Sequence, residues 1–314
     1  MRVLVLGIAD FSFLFQNTYT TFKEKFKDTT FFNVKKYKKI SKHISKSVET
    51  FFFRKHLYSK KPDLIFIVAP YYIKEEYYKI INEFKTNNDC LVFGWIGDKF
   101  EDNDLNRFIT NTLDKKFITD SYFNNLYKDD DVIYLPLCTS PKIFNINKNQ
   151  KKEVFSSFVA SRTPYRENFI SEINFYLNVY GTGWERLSIE SNNNYLNVSP
   201  KKTTIYKTAN IYKNSKSVLN LTNEFNVIDG LNQRSFDPYL TNTIVLQEDC
   251  KDLELCFEPN KEIIVFENIE DLKDKVNYFL VNSKEYLKVL DKGKKRVLCN
   301  HTYQNRIEKV LKEI

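Results

Sequence analysis

The sequence predicts an α/β protein of two doubly wound domains, each a parallel sheet covered by helices. Three observations carry this. Short, almost wholly apolar runs rich in β-branched residues recur between glycines and prolines, as strands buried on both faces do. Stretches with apolar residues at helical spacing separate them. A polar Lys/Asn-rich stretch, Asn145 to Glu153, divides the chain near its middle and reads as a linker. The expected domains are 1–145 and 146–285, with terminal helices over 286–314; 314 residues suit two cores of about 150 each.

The elements follow in order. Arg2 to Gly7 is a strand that ends in glycine, and residues 11–28 carry aromatics at helical spacing. Asp63 to Val68, between Pro62 and Pro70, is a buried strand. Lys74 to Lys85 repeats Tyr77, Tyr78, Ile81 and Phe84 on a helical period. Cys90 to Ile96, running into Gly97 and Asp98, is a strand, as are Lys116 to Thr119 and Asp131 to Leu137. The second series opens with a strand, Val154 to Ala160, and a helix, Tyr165 to Leu177. Asn178 to Tyr180 is a strand that meets a Gly-x-Gly turn at Gly181 and Gly183. Ser188 to Lys202, rich in Asn and Ser, reads as loop, and Thr203 to Ser215 as helix. Val218 to Leu221, Thr243 to Leu246 and Glu262 to Phe266 are strands. Asn268 to Leu280, Ser283 to Val297 and Thr302 to Ile314 are helices.

Composition narrows the class. With 42% hydrophobic and 28% charged residues the chain is globular, and no apolar run approaches the ~20 residues that span a bilayer. The first residues read as a strand rather than a signal peptide. Five scattered cysteines (Cys90, Cys138, Cys250, Cys256, Cys299) form no C-x-x-C pair, which predicts reduced thiols in a cytoplasmic protein. His43, His56 and His301 are too dispersed for a metal centre, so no metal or resident cofactor is expected.

Charge is concentrated at the start. Residues 1–60 hold thirteen Lys/Arg against four acids, an excess of nine where the whole chain has +8. Phe22, Phe26, Phe31, Phe32, Tyr37 and Phe51 to Phe53 interleave with these lysines. Three readings fit: an ordinary solvated surface, an anionic membrane met from its inner face, or nucleic acid, for which no recognition motif is present.

The most chemical stretch is Asp229 to Asp237. It sets two carboxylates eight positions apart, with Gly230, Asn232 and Arg234 between them, in a loop and short helix joining two strands. Such loops at strand ends are where parallel sheets bind ligands. The acids can hold sugar hydroxyls, and Arg234 can hold phosphate; the plainer reading is a helix start whose acids favour its dipole. Arg162 and Arg166 follow a strand end and are further phosphate candidates, against the plainer reading of surface ion pairs. Gly181 and Gly183 allow close backbone approach to a ligand or simply make a turn. Asp98 is a candidate base or acceptor contact, or else a helix cap.

Residues 206–311 resemble the CgeB-like spore-maturation branch of group 1 glycosyltransferases. The residues that carry the resemblance are Tyr212, Lys216 and Leu219-Asn220; then Gly230, Asn232, Arg234, Phe236 and Asp237; Asp271-Leu272; Gly293; and His301-Thr302-Tyr303 with Arg306. Upstream, Phe158 to Ala160 with Arg162 and Arg166, and Val179 to Trp184, also fit. The resemblance implies a metal-independent GT-B enzyme: two Rossmann-like domains facing a cleft, with the last helix crossing back to the first domain. It implies a nucleotide-sugar donor in the second domain and a glycan, glycolipid or protein acceptor against the first, in surface polysaccharide or protein glycosylation. It gives Asp229 the sugar-side or catalytic role and Asp237 the ribose role, both as Asp where the family carries Glu. A non-catalytic sugar-nucleotide-binding protein of the same fold is the alternative.

Overall fold

Two parallel six-stranded sheets organise the described residues of the computed structural model, which are 1–9, 13–36, 47–97, 103–127, 131–144, 151–190 and 193–314. The first sheet runs in the order β2-β1-β3-β4-β5-β6. Its strands are β1 (Val3–Gly7), β2 (Thr29–Asn33), β3 (Leu64–Val68), β4 (Leu91–Ile96), β5 (Lys115–Ile118) and β6 (Val132–Tyr134). All five residues of β1 and of β3 are buried, as expected of strands covered on both faces. Helices α1 (Leu14–Lys25), α2 (Ser47–Lys60), α3 (Glu75–Lys85) and α4 (Asn103–Thr112) flank this sheet. α3 turns Tyr77, Tyr78, Ile80, Ile81 and Phe84 inward.

The second sheet runs β12-β11-β10-β7-β8-β9. It comprises β7 (Val154–Val159), β8 (Leu177–Tyr180), β9 (Leu196–Ser199), β10 (Ser215–Asn220), β11 (Ile244–Glu248) and β12 (Ile264–Phe266). Its helices are α5 (Pro164–Ser171), α6 (Glu185–Glu190), α7 (Ile205–Asn214), α8 (Leu253–Cys256), α9 (Ile269–Val281) and α10 (Ser283–Asn300). A final helix, α11 (Tyr303–Leu311), ends the chain.

The chain divides into two units, Leu137–Asn305 and Met1–Pro136 with Arg306–Ile314. Within the latter, Ile307 and Val310 are fully buried, Arg306 Nε donates to the Pro136 carbonyl at 2.5 Å, and Lys25 pairs with Glu308 at 3.2 Å. No helix among the described residues is long and apolar enough to cross a membrane.

Several expectations need correction. The helix expected over Tyr165 to Leu177 ends at Ser171; Ile173, Phe175 and Leu177 are buried at alternate positions and lead into β8. The expected loop Ser188 to Lys202 contains the edge strand β9. Of the aromatics expected on a basic surface, Phe22, Phe32 and Phe53 are core, while Phe31, Phe51 and Phe52 are exposed. Lys38, Lys39 and most of the linker lie outside the described residues.

Candidate functional site

From β7 the second sheet spreads through β8 to β9, and from β10 it spreads the other way through β11 to β12. The crevice outside the carboxyl ends of β7 and β10 is therefore its switch point, the place where open parallel sheets take ligands. Two loops border it, 160–166 after β7 and 221–237 after β10.

The second loop folds as two 3-10 turns rather than one short helix. Asn232 caps the first, Gln233–Ser235, its Oδ1 accepting from the Arg234 N–H at 2.9 Å. Asp237 begins the second, Asp237–Thr241, where Pro238 fits an early helical position. Asn242 closes it in the left-handed region, at φ 52°. These turns fold Arg234 back onto the strand ends. Its Nε donates to Asn220 Oδ1 at 2.9 Å, and Nη2 lies 3.4 Å from the Leu221 carbonyl.

Asn220 and Gln247 are directly paired across β10 and β11 and anchor a buried polar network. Asn220 Nδ2 donates to Gln247 Oε1 (2.7 Å) and to Ser235 Oγ (3.0 Å), and Ser235 Oγ donates to Gln247 Oε1 (2.9 Å). Asn232 Nδ2 donates to Asn220 Oδ1 at 3.0 Å. With its amides and hydroxyl satisfied by one another, the network fixes the floor of the crevice and the direction of Arg234.

Asp237 is 5% exposed. Burial pushes its carboxyl up to about 8; the Thr139 hydroxyl and the Arg234 guanidinium pull the other way. Thr139 Oγ makes no fully formed hydrogen bond, so burial prevails. Burial likewise lowers the pKa of Arg234, which the Tyr212 hydroxyl and Asp237 oppose. Burial raises the Tyr212 pKa, with Arg234 opposing. Arg234, Asp237 and Tyr212 thus form one electrostatic cluster. Beneath it, Lys152 Nζ gathers the carbonyls of Tyr212, Lys213, Ser215 and Thr241 and the Thr243 hydroxyl at 2.7–3.4 Å, tying the end of α7 to the second 3-10 turn.

The other residues singled out in the sequence divide. Arg166 reaches the switch point but is buried, its guanidinium donating to the carbonyls of Ser161 (3.1 Å), Leu221 (3.0 Å) and Thr222 (3.2 Å). It stitches the two loops together, which corrects its expected place as a ligand-facing cation. Burial and then the Arg234 guanidinium, which shares the Leu221 carbonyl, lower its pKa. Arg162 pairs with Glu167, its Nε 2.6 Å from the carboxylate, so the plainer ion-pair reading describes it.

Gly181 and Gly183 have φ of 142° and 86°. The freedom at Gly181 is used for packing: a Cβ there would stand 2.0 Å from the Ala160 carbonyl oxygen, which accepts from Trp184 Nε1 at 2.8 Å. Gly230 is buried at the start of the turns. Asp229 lies on the rim, paired with Lys251 at 2.8 Å, and is not among the groups acting on Asp237. Asp98 lies outside the described residues. His301 is core, its Nε2 3.0 Å from the Cys256 carbonyl oxygen and its ring stacked on Phe257.

Sequence reasoning named Asn220 only as a motif residue and missed Ser235, Gln247 and Glu248, the last of which accepts from the Thr222 N–H at 2.6 Å and from the Tyr165 hydroxyl. The available signal was a pair of buried apolar strands that each end in polar residues, Asn220 in β10 and Gln247-Glu248 in β11. Among the described residues, no group of three His, Cys, Asp or Glu side chains could hold a metal ion.

Residues 162–312 match the family model described as glycosyl transferase-like. A comparison with curated protein sequences returns no match. Among solved structures the chain is similar to HepE of Anabaena in complex with UDP, at 8% identity and a TM-score of 0.71, covering 100% of both chains. It is similar to a glycosyltransferase from Rickettsia africae, at 11% identity and a TM-score of 0.72, covering 99% of this chain and 97% of that one. It is also similar to a sucrose-phosphate synthase from Thermosynechococcus elongatus, at 8% identity and a TM-score of 0.72, covering 100% and 98%. The fold is α/β of the GT-B glycosyltransferase type, with two parallel six-stranded sheets.

Proposed function

We propose that this protein is a glycosyltransferase that binds a nucleoside-diphosphate sugar at the β7/β10 switch point and moves the sugar to a hydroxyl of a glycan, glycolipid or protein. The observation that carries this reading is Arg234 beside Asp237, a cation and a carboxyl held by a satisfied polar network at the strand ends. A diphosphate needs the first and a ribose diol the second. The glycosyl transferase-like match over 162–312 includes every one of these residues. HepE, similar in fold, was solved with UDP and with UDP-glucose, so uridine nucleotides are the first donors to test.

In the proposed reaction Arg234 stabilises the charge that develops on the departing diphosphate. Asp237 hydrogen-bonds the ribose hydroxyls, and Asp229 meets the sugar from the rim. Arg166 acts indirectly, by holding the two loops in register. Because an arginine supplies the positive charge, the reaction as proposed needs no divalent cation. The motif residues from Tyr212 to Arg306 support the finer placement with the CgeB-like branch.

A thermal-shift screen against UDP, GDP, CDP and dTDP sugars tests donor binding. A donor at about 100 times its dissociation constant stabilises the fold by ~2.7 kcal/mol. Release of nucleoside diphosphate in the presence of mixed glycan acceptors then tests transfer. Binding without turnover would favour the non-catalytic reading, which the two Asp-for-Glu positions keep open. No shift with any donor would refute both.

A further inference from the structure

We propose that Thr139 is a positioning residue for the donor site: its buried hydroxyl closes on the Asp237 carboxylate when that carboxylate takes the ribose. This rests on the donor reading of Asp237. Every residue it uses lies in one unit, Leu137–Asn305.

The backbone fixes where this hydroxyl stands. Thr139 and Thr302 form an isolated parallel β-bridge. The Thr139 N–H donates to the His301 carbonyl at 3.0 Å, and the Thr139 carbonyl accepts from the Tyr303 N–H at 3.3 Å. With both backbone groups bonded the residue is held in register, and it is fully buried. The donor loop rests on the same bridge. Gln233 Nε2 donates to the Tyr303 hydroxyl at 3.2 Å, and the Asp237 carboxyl lies within reach of the Thr139 hydroxyl.

Among the described residues, Thr139 Oγ1 has no formed hydrogen bond. A buried hydroxyl in that state costs free energy that valine, of nearly the same shape, would not. A neutral carboxyl draws such a donor weakly. A carboxylate draws it strongly, since charge-assisted bonds are roughly twice as strong. The hydroxyl is therefore matched to the ionised form of Asp237, the form that best holds a diol. The charged and titratable groups facing that carboxyl are Arg234 from the first 3-10 turn and Tyr212 from α7. His301, beside Phe236, has its Nε2 at the Cys256 carbonyl oxygen. Lys152 and Lys294 bond to Thr241, Thr243 and Asn242 at the far end of the second turn. Thr139 can thus orient the carboxylate while Arg234 attends to a diphosphate.

The variants are Thr139→Val, which removes the hydroxyl and keeps the shape, and Thr139→Ser, which keeps the hydroxyl. The first measurement is denaturant unfolding across pH without ligand. A bond donated to the ionised carboxyl lowers its folded pKa, so removing the bond extends the loss of stability to higher pH. Thr139→Val should match or exceed the unmodified protein where Asp237 is protonated, well below about 8, and fall beneath it on the alkaline side. The two curves should cross, and the Thr139→Ser curve should run parallel to that of the unmodified protein.

The second measurement is UDP affinity by calorimetry on the alkaline side. Thr139→Val should weaken it about tenfold, and Thr139→Ser by less than about twofold. In an Asp237→Asn background Thr139→Val should cost less than about twofold, whereas a residue that only packs would cost the same in both backgrounds. Ligand-free curves that do not cross overturn the inference, as do equal losses of UDP affinity in the two backgrounds. If UDP does not bind the unmodified protein, it is the donor reading that fails, and the ligand-free curves still confirm or overturn the contact between Thr139 and Asp237.

Discussion

Asp237→Asn separates the stability of the apo protein from donor binding. In the unfolded chain this carboxyl loses its proton near its ordinary value of 3.8, whereas in the fold burial holds the proton to about 8. Between those values the folded state binds more protons than the unfolded one. Stability is then fully present below the window and falls as pH rises through it. The interval sets a ceiling of about 5–6 kcal/mol on the loss; structural relaxation and water entry reduce the measurable part to about 2–3 kcal/mol. Asparagine has nearly the same shape and no proton to lose, so the variant escapes this loss. Denaturant unfolding of both proteins across that window is the assay. The curves should nearly coincide near the acid end, and the variant should be more stable by about 2–3 kcal/mol at the alkaline end. Donor affinity should move oppositely at the alkaline end, weaker by about 1.5–3 kcal/mol, because there the ionised carboxylate makes charge-assisted bonds to the ribose that the amide cannot. Parallel curves would mean that Asp237 is already ionised in the fold and that Arg234, not burial, governs it.

Three further outcomes are expected. Arg234→Ala should cost diphosphate binding about 1.5–3 kcal/mol and free-nucleoside binding far less, with Arg234→Lys recovering only part because an ammonium lacks the planar fork; equal losses in calorimetry would indicate a folding defect. Turnover should survive excess EDTA, and complete loss restored by magnesium or manganese would refute the arginine-based mechanism. Gly181→Ala should destabilise by more than about 3 kcal/mol, since both its φ and the Ala160 carbonyl oppose a side chain. Gly183→Ala, whose nearest contact is the Arg162 Cβ at 3.2 Å, should cost about 1–2 kcal/mol; equal losses would refute the packing assigned to Gly181.

The parallel strands were legible because burial on both faces leaves no alternation to confuse, as in Leu64 to Val68 between its two prolines. Two of the four edge strands, β2 and β9, were not. In β2 and β9 exposure on one side admits Thr, Asn and Ser, and the apolar pattern thins to one or two residues. The 229–237 stretch was legible as a polar connection between two strands from residue types and spacing. What spacing could not show was that Arg166 turns inward to three carbonyls while Arg234 rests on Asn220. Both are arginines beside strand ends and both reach the Leu221 carbonyl; Arg166 adds the Ser161 and Thr222 carbonyls, where Arg234 has the Asn220 side chain, a difference that exists only in the assembled sheet. The separation of Asp229 from Asp237 has the same origin, because a non-helical stretch and one 3-10 turn, Gln233–Ser235, divide residues that one continuous helix would have brought toward one face.

The return of residues 306–314 to the first unit bears on the order in which the protein can be made. During synthesis the first sheet leaves the ribosome early but lacks Ile307, Val310 and the Arg306 bond to Pro136 until residues 306–310 are translated. The second unit is uninterrupted in sequence and can close before then. A nascent chain would thus carry a closed second unit tethered to a first unit whose apolar surface awaits residues 306–314, and that is the interval in which a chaperone has something to hold. Proteolytic removal of residues 306–314 would for the same reason loosen the sheet that begins at Val3 and leave the one that begins at Val154 intact.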